Sequence, residues 1–378
     1  MPNYSGKWKL PTVMQAEGAG TWPIVPDPGL YSWGSNNSGG LGLGDLVYRS
    51  VPTQVGALND WLNVAAGQYY GAATKTDGTL WGWGKNDNGQ LGDGSITNRS
   101  SPVQIGALTV WSKIVTGTYT TMAVLSTGAL WVWGYNSNGQ LGTGNTTSYS
   151  SPVQVGALTT WLDVACGYFH TLATKTDGTL WAWGRSNYGQ VGLNNTSNYS
   201  SPKQVGALTT WLSVAAGLYF SMAIKTDGTI WTWGYNSNGE LGHGNTTSIS
   251  SPVQVGALTT WSKICALRPN FLAIKTDGTL WSCGQGEKGA LGDGTTVRKS
   301  SPVQVGALTT WDKLGGGEYH ATATQTDGTL WAWGENGSGQ LGDGTTVDKS
   351  VPVQVAASSS WSISRGHRAH LTFAIRGS

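Results

Sequence analysis

Along residues 27–376, short apolar stretches alternate with clusters of Gly, Pro, Asn, Asp and Ser, and the whole pattern returns every fifty residues without insertion or deletion. Four landmarks recur in each unit. A "PVQV"-type segment starts at Pro52, Pro102, Pro152, Pro202, Pro252, Pro302 and Pro352. The next starts at Trp61, Trp111, Trp161, Trp211, Trp261, Trp311 and Trp361 and usually closes on Gly, as in "WLNVAAG". A third alternates, as in "HTLATK" at 170–175, and a fourth reads "TLWAWG" at 179–184, entered through "TDG". Each is rich in Val, Thr, Trp or Ile and bounded by turn formers, so the pattern predicts four strands per unit, in the order of the landmarks. No helical periodicity interrupts the repeats. Asp-Gly at 77–78, 177–178, 227–228, 277–278 and 327–328 predicts a type I′ hairpin between the last two strands, with positive φ at both central residues.

A four-stranded unit cannot bury both its faces alone, and radial packing against its neighbours does so. The expected fold is therefore all-β: a seven-bladed β-propeller with four antiparallel strands per blade. Every landmark occurs seven times, yet the chain starts and stops within a unit. Residues 27–34, "DPGLYSWG", fit a fourth strand, and 361–376 fit a second and third. Pairing of N- and C-terminal strands is expected to close the ring. Two domains follow: an extended arm, 1–26, and the propeller, 27–378.

Trp81 and Trp83 are two apart on a strand and point to one side, with Gly82 and Gly84 on the other. Three repeat positions in seven units make places for all but Trp8 and Trp22 of the 21 tryptophans, with Tyr31 and Cys283 filling the two remaining places. A buried aromatic removes about 150–250 Å² from water, so these residues read as core rather than ligand platform.

Composition narrows the function. Charged residues make up 11% of the chain, the formal charge is +2, and no long basic run faces a row of phosphates, so nucleic acid is not expected as a partner. Cys166, Cys265 and Cys283 form no CxxC pair, and the five histidines show no metal-binding spacing. No apolar run reaches the ~20 residues of a membrane span, and none reads as a secretory signal. No nucleophile–base pair, phosphate loop or dense carboxylate set appears, so neither catalysis nor a cofactor is expected.

The unit "LWAWGxNxxGQLGxG…SSPVQV…WxxVAxGxxHxxAxKTDGT" resembles the regulator of chromosome condensation repeat over about 350 of 378 residues. The resemblance implies a seven-bladed propeller, a fold that hosts unrelated tasks. The family's exchange factor for the small GTPase Ran has a basic tail and a protruding loop, which this chain lacks. The plant ultraviolet-B photoreceptor of the family uses GWRHT, where this chain has "GQYYG", "GTYTT", "GYFHT" and "GLYFS". A secreted relative that inhibits β-lactamase binds protein through one end of its ring. His170, His320 and His370 match the family's strand histidine, which is expected to be structural. The leader "MPNYSGKW" looks like those of virion-associated repeat proteins of tailed bacteriophages. That likeness implies a virion component, with Tyr4, Trp8, Met14 and Trp22 as anchors of the arm. Its partners would be virion proteins and a host surface protein or glycan. The alternative is an intracellular or secreted protein-binding propeller, such as an enzyme inhibitor or GTPase regulator.

The copies differ at one end only. Turns after strands one and three, "GALTT" and "TDGT", are nearly constant, whereas turns after strands two and four vary. The short variable turns carry Tyr69, Tyr70, Tyr119, Tyr168, Phe169, Tyr219, Phe220, Arg268, Tyr319 and Arg368. The long loops after "WG" add Lys85, Tyr135, Arg185, Tyr188, Tyr235, His243, Lys288 and Glu335. Tyrosine and arginine favour protein interfaces, so this end is the candidate recognition face. Drift on solvent loops after recent duplication is the competing reading. The arm has two readings as well: docking onto a larger assembly, or a strap across the ring's own surface.

Overall fold

The computed structural model describes residues 28–355, 360–363, 365–366 and 369–377. Seven antiparallel sheets stand around an axis, each with four strands running outward from it. In the first blade these are Trp61–Ala66, Tyr70–Lys75, Leu80–Gly84 and Arg99–Gln104. The sequence grouping is shifted by one strand. The "PVQV" strand does not pair with the Trp strand that follows it; Trp81 of one unit lies opposite Gln104 of the next. The long loop after "WG" therefore stays within a blade, and "GALTT" carries the chain between blades. The half-exposed serines and prolines of this strand suit an outer edge, where Pro costs no ladder hydrogen bond.

The ring closes as expected, with Gly29–Gly34 antiparallel to Leu371–Arg376. Arg49–Gln54 completes this blade on the outside and Trp361–Ile363 on the inside. A further tie appears at the axis, where Arg365–Gly366 runs parallel to Ala65–Ala66 of the next blade.

Seven apolar clusters lie between adjacent blades. One joins Met122, Val132 and Leu141 to Trp161, Val164 and Trp183. The second tryptophan of each "WxW" pair, or Trp33 where Tyr31 takes the first place, sits at its centre: Trp33, Trp83, Trp133, Trp183, Trp233 and Trp333 are all fully buried. Each indole N–H also donates across the blade boundary, as Trp183 Nε1 does to the Gln140 carbonyl at 2.9 Å. Trp81 is half-buried, and Trp61 packs edge-on against Trp81 at 6.2 Å and Trp83 at 6.1 Å, so the pair does share one side. In the fifth blade Cys283 takes the buried position, with its Sγ 3.2 Å from the Gly239 carbonyl.

The Asp-Gly turns differ from the expected type. Only the glycine has positive φ (77° at Gly78); the Gly78 N–H donates to Lys75 O, and the Lys75 N–H to Thr79 O. This is a three-residue loop, a type I turn closed by a left-handed Gly. The Asp77 carboxylate accepts from the Thr79 amide at 2.9 Å and its hydroxyl at 2.6 Å. A local side-chain clasp replaces the second positive φ.

Candidate functional site

The variable end is built on one repeated hydrogen bond. After the third strand a glycine takes positive φ (99° at Gly84), and the chain folds over the short turn so that the Lys85 N–H donates to the Tyr69 carbonyl at 2.9 Å. The same bond joins Tyr135 to Tyr119, Arg185 to Phe169, Tyr235 to Tyr219 and Glu335 to Tyr319. Two variable side chains, one from the short turn and one from the long loop, are thus set side by side in each of these blades by backbone alone.

In the first three of these pairs the second member also reaches the next blade. Lys85 Nζ lies 5.9 Å from the Tyr69 ring and 6.0 Å from that of Tyr119. Tyr135 lies 6.2 Å from Tyr119 and 5.8 Å from Phe169. The Arg185 guanidinium is 5.8 Å from Phe169 and 5.7 Å from Tyr219. Tyr168 stacks on Phe169 at 3.8 Å and meets Tyr219 edge-on at 5.7 Å. Tyr188 joins from its long loop, 5.3 Å from Tyr219 and 4.7 Å from Tyr235. The result is an arc of interleaved aromatic and cationic groups over the first four blades. Edge and tilted ring pairs contribute ~0.5–1.5 kcal/mol each beyond their area, and exposed cation–π contacts ~0.5–1 kcal/mol. These contacts hold the arc in shape before any ligand arrives.

The remaining blades carry an ionic cluster. Arg268 pairs with the buried Glu318 and lies 5.3 Å over the Tyr319 ring. Glu318 Oε2 is 2.9 Å from His370 Nε2, and His370 stacks on Tyr69 at 5.5 Å, which joins the cluster to the arc. Backbone bonds between turns, Leu218 N–H to Arg268 O and Glu318 N–H to Ala369 O, fix neighbouring blades to one another.

Tyr70 and Phe220 do not belong to this face. Their side chains are 0% and 1% exposed, because the residue after each surface aromatic starts a strand and alternation turns it inward. The Tyr70 hydroxyl donates to the Thr120 carbonyl of the next blade at 2.6 Å. His170 and His320 occupy the same inward position, with Nε2 3.0 Å from Ser221 Oγ and 2.9 Å from Thr372 Oγ1. Burial lowers both imidazoles to about 3, so they are neutral structural groups. His370, expected to match them, is only half-buried and joins the surface cluster instead. Sequence reasoning had also passed over Glu318; its place, one residue before Tyr319 and matching Arg268 a repeat earlier, was the available signal.

Three further candidates stand apart from the arc. His243 is half-buried against Thr232 Oγ1 at 3.0 Å, Lys288 pairs with Asp348 at 3.6 Å, and Glu335 accepts from Gln340 Nε2 at 3.4 Å. Arg368 and the arm residues Tyr4, Trp8, Met14 and Trp22 lie outside the described residues. Beneath the variable end Glu240 occupies the buried place held by Gln90, Gln140, Gln190 and Gln340 in other blades. Burial raises its carboxyl to about 7. Among the described residues no three His, Cys, Asp or Glu side chains gather as a metal site.

The uniform end looks different. Leu58, Leu108, Leu158, Leu208, Leu258 and Leu308, one in each "GAL" connection, are 44 to 49% exposed. Nearer the axis Leu62, Leu162 and Leu212, second residues of inner strands, are half-exposed too.

Four-stranded blades built on the WG–NxxGQLG unit, closed by terminal strands, agree with the family comparison. The RCC1-like domain matches residues 27–267, and the regulator of chromosome condensation (RCC1) repeat matches 277–324 and 327–366. The chain belongs to the RCC1-like domain family. Among solved structures it is similar to human WBSCR16, with 20% identity, a TM-score of 0.84, and 93% of this chain and 100% of that one covered. It is similar to Prp20p from Saccharomyces cerevisiae, with 20% identity, a TM-score of 0.81 and 96% and 95% covered. Yeast RCC1 (Prp20) bound to Kap60 matches at 19% identity and a TM-score of 0.81, with 94% and 90% covered. At such identities the likeness is one of fold. No curated protein matches the chain in sequence.

Proposed function

We propose that this chain is a non-enzymatic binding module whose aromatic arc is the contact surface for a protein partner. The observation that carries the reading is the run of ring and cation–π contacts from Tyr69 to Tyr235, preformed at one end of a rigid ring. Tyrosine and arginine are enriched among the few residues that dominate the energetics of protein interfaces. Prp20p, a ring of the same fold, has been described with its binding to Gsp1p and histones. The test is the triple variant Tyr69→Ala, Tyr119→Ala, Tyr219→Ala. It should keep the near-ultraviolet signal of its buried tryptophans and lose at least about tenfold in affinity for proteins captured by the unaltered ring. Unchanged capture by a folded triple variant would sink the reading.

A finer reading concerns setting: a component of a tailed-phage particle, mounted at the uniform end and displaying the arc to a host surface protein or glycan. What supports it is placement. The arm joins the ring at Pro28, whose carbonyl accepts from Gln54 Nε2 at the uniform end, opposite the arc. Mass spectrometry of purified particles should find the chain at constant stoichiometry; its confinement to host cytosol would count against this setting. The alternative of GTPase regulation predicts faster nucleotide release from a small GTPase on adding the ring, and we expect no acceleration.

A further inference from the structure

The leucines of the uniform end pose a separate problem. In six consecutive connections the same half-exposed Leu recurs, and three more lie inside that circle. Nine apolar side chains recurring at one end of the ring are a regular placement rather than single scattered exposures. Turn chemistry does not require it, since the turns here are held by Asp77-type carboxylates and by glycines.

We infer that the arm, residues 8–25, is the occupant of this leucine face. The argument rests on where the chain emerges and on what it carries. Pro28 is held by Gln54 at the uniform end, and a side chain at Gly29 would come within 3.2 Å of the Leu58 carbonyl oxygen. The first leucine of the circle thus lies where the arm begins. From the strand that starts at Gly29, the inner strand of the same blade is two positions away, about 10 Å at ordinary strand spacing. The nineteen residues between Trp8 and Pro28 span up to about 65 Å when extended, enough to cross the inner circle and reach neighbouring blades. Trp8, Leu10, Val13, Met14, Trp22 and Ile24 supply the apolar surface. Pro11, Pro23 and Pro26 favour extended chain over helix, the form that can follow a curved row of contacts. Seated in this way, arm and uniform end form one surface, and the arc at the other end is unaffected. The inference does not depend on a partner for the arc or on the particle setting.

Hydrogen exchange on the full chain tests it, with light scattering alongside. The chain should be monomeric, with protected amides within 8–25. In the variant Trp8→Ser, Trp22→Ser, the amides of the "GAL" connections should exchange about tenfold faster, with those at 69–70 and 119–120 unchanged, and a hydrophobic dye should bind more. In the variant Leu108→Ser, Leu158→Ser, Leu208→Ser, which alters only exposed side chains, protection of 8–25 should vanish. Unprotected amides at 8–25 in the unaltered monomer would overturn the inference. So would a dimer in which a second copy covers the leucines. Failure of the arc variants to lose binding would bear on the proposed function and leave this result untouched.

Discussion

The two ends of the ring are made from the same strands, yet one is nearly constant across the blades and the other varies at almost every exposed position. The difference lies in what closes each turn. At the uniform end a side chain reinforces a glycine turn: in five blades Asp77 and its counterparts clasp the Thr two residues on, which favours those residue types there. At the variable end the closure is a backbone bond made possible by a glycine, as between Lys85 and Tyr69, and the side chains on either side take no part in it. A frame that constrains only the backbone can hold Lys beside Tyr, Tyr beside Tyr or Arg beside Phe without retuning the fold.

The sharpest way to break the comparison is to attack the frame itself. Gly84→Ala would force a Cβ to 2.6 Å from Tyr70 Cα at positive φ, whereas Lys85→Ala leaves the bond in place. The first should cost about 3 kcal/mol and the second under about 1 kcal/mol in denaturant unfolding. Comparable losses would mean that the side chains, and not the backbone, build this end.

Glu240 sharpens it next, because it is an acid in a place otherwise held by glutamine. Its folded carboxyl titrates near 7 against an ordinary 4.5, so the unfolded chain ionises first. Stability should fall as pH rises from 4.5 to about 7, and Glu240→Gln should recover it, by about 3 kcal/mol above that window and by nothing below it. Melting temperature against pH for the two chains is the measurement. The buried histidines act with opposite sign. His170 and His320 are depressed from 6.5 to about 3, so their contribution is present above 6.5 and is lost as pH falls toward 3. His170→Gln, able to keep a hydrogen bond to Ser221, should flatten the acid limb.

The smallest effect belongs to the uniform turns. Hydrogen bonds from Thr79 hold the Asp77 carboxyl below its ordinary range, so protonation weakens the clasp only in strong acid. Asp77→Asn should leave melting almost unchanged at neutral pH, and a large loss would mean that this turn carries more of the ring than its exposure suggests.

Much of this was legible in the residues. A fifty-residue period, four strand-like landmarks and a mid-unit start and stop specify the ring and its closure. The "WxW" pair was readable as core because spacing by two puts both indoles on one side. Three things were not. The strand grouping shifted because each "PVQV" segment lies nearer in sequence to the strand that follows it than to the one before, and only hydrogen bonding across the long loop joins it to the latter. Tyr70 and Phe220 look like their half-buried neighbours Tyr69 and Tyr219 until strand pairing sets which of two adjacent aromatics turns inward. His370 departs from His170 and His320 because its neighbours are Tyr69 and Glu318, which the closing of the ring brings to it from distant parts of the chain.

The sequence by itself determined the number of blades, the strand type, the core tryptophans and the fact that one end varies. These follow from local pattern and period, which each unit carries whole. Only the tertiary structure decided that the variable side chains touch one another in an arc and that the recurrent leucines share the end of the ring where the arm begins. Both are relations between blades, set by packing around an axis that no single fifty-residue unit contains.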